Sequence, residues 1–203
     1  MKITIIGGSK GTGARLATAA SAACHEVTAV SRSGVPAAGA RAIAADATNA
    51  SAVREAISGA DAVVVTVGGV KGSHHHRATV TRAVIEAMTA SGVRRLVVQS
   101  SLGAGDSGSL MPAPLRVVMK LLLAAPLADH NEQEEAVRAS TLDWTIVRPT
   151  GLTDKPAQRS WRALHVGDDG YLGGSIPRDD LAACILQLLD DDASIGTAVG
   201  VSS

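Results

Sequence analysis

ITIIGGSKGTGARLA, residues 3–17, runs a short β-branched stretch into a glycine cluster and then into an alanine-rich segment with helical spacing. Residues 3–6 read as a strand and 12–23 as a helix, with Gly7, Gly11 and Gly13 across the junction at the spacing G-x-x-x-G-x-G. Glycine reaches φ > 0 at little steric cost and lets bare backbone approach a ligand. The first amides of the helix then face an anion, and the helix dipole favours negative charge there. A diphosphate suits this place, held by Gly7, Ser9, Lys10, Gly11, Thr12 and Gly13. A plain tight turn between strand and helix is the alternative.

The alternation continues outward from this stretch. Strands are expected at residues 26–30, 41–45, 62–67, 95–99 and 145–148, and helices at 51–57, about 73–91 and 179–189. An irregular segment, 102–114, precedes helical material reaching Ser140. The run AVVVTV, residues 62–67, is almost wholly apolar, as a strand covered on both faces must be. Strands and helices in this order imply an α/β fold, a doubly wound parallel sheet (Rossmann fold) with right-handed crossovers, in a single domain over residues 1–203. Ligands of such sheets lie beyond the carboxyl ends of the strands, where the strand order reverses.

Composition narrows the function classes. The 203 residues carry 19 Lys plus Arg and 19 Asp plus Glu, so no basic surplus exists to capture nucleic acid. Phenylalanine is absent and the aromatic residues are Tyr171, Trp144 and Trp161, which removes the stacking platforms of single-strand binders. Residues 115–127 form the most apolar later stretch, but Arg116 and Lys120 interrupt it and it is too short to span a bilayer. No leader-like segment opens the chain, because Gly7 and Gly8 break the first apolar run. Cys24 and Cys184 form no Cys-x-x-Cys pair and read as two buried thiols of a reducing compartment. A soluble cytoplasmic protein with neither nucleic-acid nor membrane partners is expected.

SHHHR, residues 73–77, invites a metal reading that helical geometry disfavours. Consecutive helical residues point about 100° apart, so His74, His75 and His76 do not converge, and a helical metal pair needs i, i+4 spacing. Ser73 reads as a helix N-cap and no metal is expected.

The second strand decides between dinucleotides. An NAD site places an acid at its end to hold the ribose 2′-hydroxyl. Here the strand ends AVSRSG, giving Ser31, Arg32 and Ser33 and no carboxylate. Arg32 is able to pair with a 2′-phosphate and stack on adenine, and Lys10 to approach the same phosphate. Both also read as plain solvated surface cations. The reading taken forward is NADP (NADPH), bound with the help of Arg32 and Ser33.

The sequence resembles the short-chain dehydrogenase/reductase superfamily, in particular its small atypical members, the NmrA-like NAD(P)H-binding group that includes biliverdin reductase B, a flavin reductase. The glycine loop, EVTAVSRS, AADATN, DAVVVTVGG, GVRRLVVQSSLGAG and EEAVRASTLDWTIVRPTGLTD carry the likeness over most of the chain. The resemblance implies that Asp46 and Ala47 meet the adenine, with a turn or N-cap role for Asp46 the other possibility. It implies Val67 and Gly68 beside the adenosine ribose and diphosphate, Ser100 and Ser101 near the nicotinamide, and Pro149 and Thr150 lining the nicotinamide pocket.

One family feature is missing. Better-known reductases carry Tyr-x-x-x-Lys, and here Pro126 and His130 stand at those positions, while Tyr171 lies far down the chain. What remains is Ser101, either orienting a carbonyl or closing the strand end, and His130. With an ordinary imidazole pKa near 6.5, His130 reads either as a proton donor or as a surface histidine. Three functions stay open: an NADPH-dependent reductase of a flat conjugated small-molecule acceptor (flavin, quinone or tetrapyrrole), a non-catalytic NADP sensor acting on a protein partner, and a nucleotide-sugar isomerase or epimerase. The missing tyrosine and the lack of room for a large substrate domain count against the last. The oligomeric state is left open.

Overall fold

The computed structural model describes residues 1–70 and 72–203, and all their side chains but those of Met119 and Lys120. An eight-stranded sheet forms the centre, in the order β3-β2-β1-β4-β5-β6-β10-β8. Its strands are β1 (Lys2–Ile6), β2 (Glu26–Ser31), β3 (Arg41–Ala44), β4 (Ala62–Val65), β5 (Arg95–Gln99), β6 (Asp143–Pro149), β8 (Arg162–His165) and β10 (Thr197–Ser202). All neighbours pair parallel except β8, which runs antiparallel to β10 at the edge. The order reverses between β1 and β4, so the switch point lies above the glycine loop.

Helices α1 (Gly11–Ala22) and α6 (Arg178–Leu189) cover one face, and α2 (Ala50–Ala56), α3 (His76–Ser91) and α5 (Ala124–Arg138) the other. Both faces being dry explains the apolar runs. In β4, Ala62 and Val64 pack among Leu16, Leu181 and Ile185, while Val63 and Val65 pack among Val80, Val84 and Met88. Small residues on α1, Ala17 and Ala20, let that helix lie close to the sheet.

Helical material after the irregular segment divides into α4 (Ala113–Leu122) and α5, with Pro114 and Pro126 each in a first turn, where a missing amide hydrogen is harmless. A 3-10 turn, Ser107–Leu110, occupies part of the segment expected to be irregular. Short strands β7 (Gly151–Thr153) and β9 (Ser175–Pro177) pair parallel as a separate two-stranded sheet. Neither they nor β8 and β10 announce themselves in the sequence. β7, β8 and β9 are only three or four residues long, and Gly200 interrupts the apolar run of β10.

Two local expectations are corrected. Helix α3 opens at His76, and Ser73 does not cap it: Asp129 of α5 does so from across the fold, accepting from the amides of Arg77 and Ala78 at 3.1 and 3.0 Å. A buried carboxylate satisfies these donors better than a solvated hydroxyl. Cys24 is exposed, in the left-handed turn (φ 64°) that joins α1 to β2. Cys184 is buried, and burial pushes its thiol up to about 12. Among the described residues, no helix is long and apolar enough to cross a membrane.

Candidate functional site

The junction of β1 and α1 is built by its glycines. Gly7 takes φ +92° and donates its amide to Val30 O at 2.9 Å, tying the loop to β2. At Gly13 a Cβ would run into the Gly7 carbonyl oxygen and stand 2.5 Å from Thr66 Oγ1, so only glycine lets α1 sit this close to β1 and β4. Lys10, in extended conformation, precedes α1, and its side chain does not cap the first amides of the helix. The buried hydroxyl of Thr12 also has no hydrogen-bond partner among the described residues. A set of donors left unsatisfied at a helix N-terminus fits a diphosphate.

These donors face a cleft of about 440 Å³ above the switch point. Gly7, Ser9, Lys10, Gly11 and Thr12 line it, together with Val67 and Gly68 after β4. Arg32 and Ser33 after β2 and Asp46 and Ala47 after β3 close one end. The sequence thus brought most of its expected cofactor residues together. Gly13 lies beneath the loop as packing. The cleft also takes in Gln99, Leu152, His76 and Arg178, which the sequence reading did not assign to the cofactor. The Gln99 Oε1 atom is buried without a donor among the described residues, a second orphaned atom that a nucleotide's hydroxyl or amide would satisfy.

Asp46 has a local task as well. Its Oδ1 accepts from Thr48 N at 3.0 Å and Thr48 Oγ1 at 2.8 Å. Those bonds, with the nearby Arg32 charge adding to them, hold its carboxyl below the usual range. The turn role left open by the sequence is therefore realised at one carboxylate oxygen.

Ser100, Ser101, Pro149 and Thr150 stand at the carboxyl ends of β5 and β6, next to Gln99 but outside the lining of this cleft. Ser100 is buried and donates to Glu134 Oε1 at 2.6 Å, and Ser101 donates to Leu102 O at 3.2 Å. Pro149 is buried, and the Thr150 hydroxyl has no partner among the described residues.

For His130 both the surface position and the ordinary pKa are corrected. The ring is 7% exposed, with Nδ1 at 3.1 Å from Gln133 Oε1 and 3.5 Å from Ser100 Oγ. Burial, with the Arg77 charge second, brings its pKa down to about 4 despite the hydrogen bond to Gln133 and the carboxylates of Asp129 and Glu134. At neutral pH it is an uncharged imidazole. With Gln133 Nε2 donating to Thr81 Oγ1 at 3.0 Å, the Gln133 oxygen is free to accept, which assigns the imidazole proton to Nδ1.

Beneath these residues lies an ion pair absent from the sequence reading. Arg148 (0% exposed) donates from Nε and Nη2 to the two oxygens of Glu134 (2% exposed) at 2.9 and 2.5 Å. Its Nη1 lies 2.7 Å from Asp106 Oδ1. Gly105 packs on this pair at φ +56°, where a Cβ would stand 2.6 Å from Glu134 Oε2 and would collide with the guanidinium. Arg148 thereby pins the segment after β5 that carries Ser101. The available signal was an arginine inside an otherwise apolar strand, TIVRP.

The three histidines have different surroundings, and only His76 belongs to α3, whereas a cap at Ser73 puts all three in its first turn. His75 Nδ1 meets Glu132 Oε1 at 2.8 Å, His76 lines the cleft, and His74 is exposed. Among the described residues no three His, Cys, Asp or Glu side chains gather as a metal site.

A doubly wound sheet with an uncapped helix facing a cleft at its switch point defines a Rossmann-type dinucleotide-binding protein. The chain belongs to the NAD(P)H-binding family, which it matches over residues 7–192. No curated protein is significantly similar in sequence. Among solved structures it is similar to the anaerobilin reductase ChuY from Escherichia coli O157:H7, at 26% identity and TM-score 0.81 over 99% of this chain and 96% of that one. It is similar also to the oxidoreductase ylbE from Lactococcus lactis, at 20% identity and TM-score 0.86 over 100% and 91%. A short-chain dehydrogenase/reductase from Veillonella parvula, solved in complex with NADP, matches at 20% identity and TM-score 0.82 over 100% and 94%.

Proposed function

We propose that the protein is an NADPH-dependent reductase of a flat conjugated acceptor such as a flavin, a quinone or a tetrapyrrole. The observation that carries this reading is the cleft at the switch point: unsatisfied donors in its lining, and Arg32 and Lys10 without a carboxylate at the end of β2. The amides opening α1 and the Thr12 hydroxyl hold the diphosphate, and Arg32 with Lys10 and Ser33 holds the 2′-phosphate. Asp46 and Ala47 border the adenine. Gln99 meets the nicotinamide half, whose pocket Ser100, Pro149 and Thr150 complete. NADPH supplies a hydride when bound, and with a proton from water this completes a two-electron reduction of the acceptor.

The chain's own contribution is placement. Ser101, on the segment pinned by Arg148, orients the acceptor, and Glu134 holds Ser100 by accepting a hydrogen bond from its hydroxyl. His130 is uncharged at neutral pH and lacks the acidic imidazolium proton, and its remaining N–H is held by Gln133, so water is the proton source in this reading. Two neighbours support the reading: the Veillonella protein, solved in complex with NADP, for the cofactor, and ChuY, an anaerobilin reductase, for the reductase activity. The test is calorimetric titration with NADPH and NADH, followed by NADPH oxidation with FMN, quinones and biliverdin. Tighter NADPH binding and turnover with one acceptor support the reading. Tight binding without turnover by any of them would replace the reductase with a nucleotide sensor.

A further inference from the structure

The small sheet β7–β9 has a use beyond closing the fold. Its register pairs Thr153 with Pro177, so the residues that follow, Asp154 and Arg178, emerge side by side beyond the carboxyl ends of the two strands. Arg178 Nη1 pairs with Asp154 Oδ1 at 3.0 Å. The same carboxylate oxygen takes Arg15 Nη2 at 3.2 Å, and Arg15 Nη1 reaches Asp179 at 2.6 Å. Arg15 belongs to α1 and Arg178 opens α6, so the four groups lace the two helices together beside the glycine loop.

Arg178 also faces the cleft. Its Nε lies 3.7 Å from where a Cβ on Gly11 would stand, at the first residue of α1, and the guanidinium is part of the cleft lining. Asp154 is 70% exposed and shared with Arg15, so it holds Arg178 loosely. The two arginines and two aspartates cancel in formal charge, leaving nothing of their own to repel an anion at Gly11. A planar guanidinium beside an uncapped helix N-terminus is suited to bidentate contact with phosphate oxygens.

We infer that Arg178 is the diphosphate clamp of this cleft, aimed by Asp154, and that the cofactor thereby ties the β7–β9–α6 unit to the glycine loop. The inference rests on the nucleotide-binding reading above and adds a residue and a direction of contact to it. Because the clamp acts on the diphosphate, it serves NADPH and NADH alike and contributes nothing to their discrimination, which falls to Arg32 and Lys10. It also contributes nothing to 2′-AMP, which has the 2′-phosphate but no 5′-phosphate.

The experiment is calorimetric titration of the wild type, Arg178→Met and Arg178→Lys with NADPH, NADH and 2′-AMP, with unliganded melting temperatures measured alongside. Arg178→Met is expected to weaken NADPH and NADH by the same factor, roughly tenfold or more for a lost charge-assisted contact, and to leave 2′-AMP unchanged. Arg178→Lys is expected to recover part of the loss, since it keeps the charge and not the fork. Wild-type affinity in Arg178→Met, or an equal loss for all three ligands, overturns the clamp while leaving the cleft as the nucleotide site. Failure of the wild type itself to bind either dinucleotide removes the parent reading instead.

Discussion

Acidification offers a direct test of the buried cluster around His130. The native imidazole titrates at about 4 because burial, aided by the Arg77 charge, disfavours the imidazolium. In the unfolded chain the same ring titrates near 6.5. Above about 6.5 neither state binds the proton, and the full stability is present. Between 6.5 and 4 the unfolded chain binds it and the native one does not, so stability falls as pH falls and levels out below 4. The linkage integral gives a loss of about 2 kcal/mol between pH 7 and pH 5 from this group alone. Urea unfolding of the wild type and of His130→Gln at both pH values measures it. The wild type is expected to lose about 2 kcal/mol more than the variant, whose amide does not titrate. Parallel losses in the two proteins would refute the assignment of a buried, uncharged imidazole.

Three further outcomes are expected. Glu134→Leu leaves the Arg148 guanidinium buried with only Asp106 near it and is expected to cost about 3–5 kcal/mol, a fall in melting temperature of roughly 6–20 °C, which Arg148→Met in the same chain partly restores. Gly13→Ala drives a Cβ into the Gly7 carbonyl and Thr66; it is expected to destabilise by about 1–3 kcal/mol in thermal unfolding and to abolish dinucleotide binding in calorimetry. Arg32→Ala with Lys10→Ala is expected to reduce an NADPH preference of ~100-fold to near parity by calorimetry, because no carboxylate at the end of β2 awaits the free 2′-hydroxyl.

What was legible in the sequence was what repeats locally. The central strands β1, β4, β5 and β6 show as β-branched runs because both their faces are buried, and β5 is found at residues 95–99 as expected. The glycine loop is legible because its spacing lies within seven residues, although the groups that demand glycine there, Thr66 and Val67 among them, come from a distant part of the chain. Long-range contacts left weaker traces. Asp129 caps α3 from α5, 52 residues from Arg77 in the chain, and nothing near Ser73 signals that this cap is taken elsewhere. The edge strand β8 pairs with β10 through a connection containing all of α6, so the pairing is invisible in either segment alone. Gln99 and Arg178 are ordinary residue types, and only the topology brings them to the cleft at the switch point.

The buried polar cluster bears on the choice of acceptor. Hydride transfer to an isolated ketone leaves an alkoxide, a strong base that requires an acid in place, and the reductases that do this supply it with Tyr-x-x-x-Lys. This chain has Pro126 and His130 at those positions, with Pro126 in the first turn of α5 and His130 uncharged. Hydride transfer to a flavin, quinone or tetrapyrrole spreads the new charge over a conjugated system, and the resulting weak base takes its proton from water. Such an acceptor asks the protein for a flat place to lie and a fixed distance from the nicotinamide. Arg148, Glu134 and Asp106 hold the segment that carries Ser101, and under the proposed reading this is what fixes that distance.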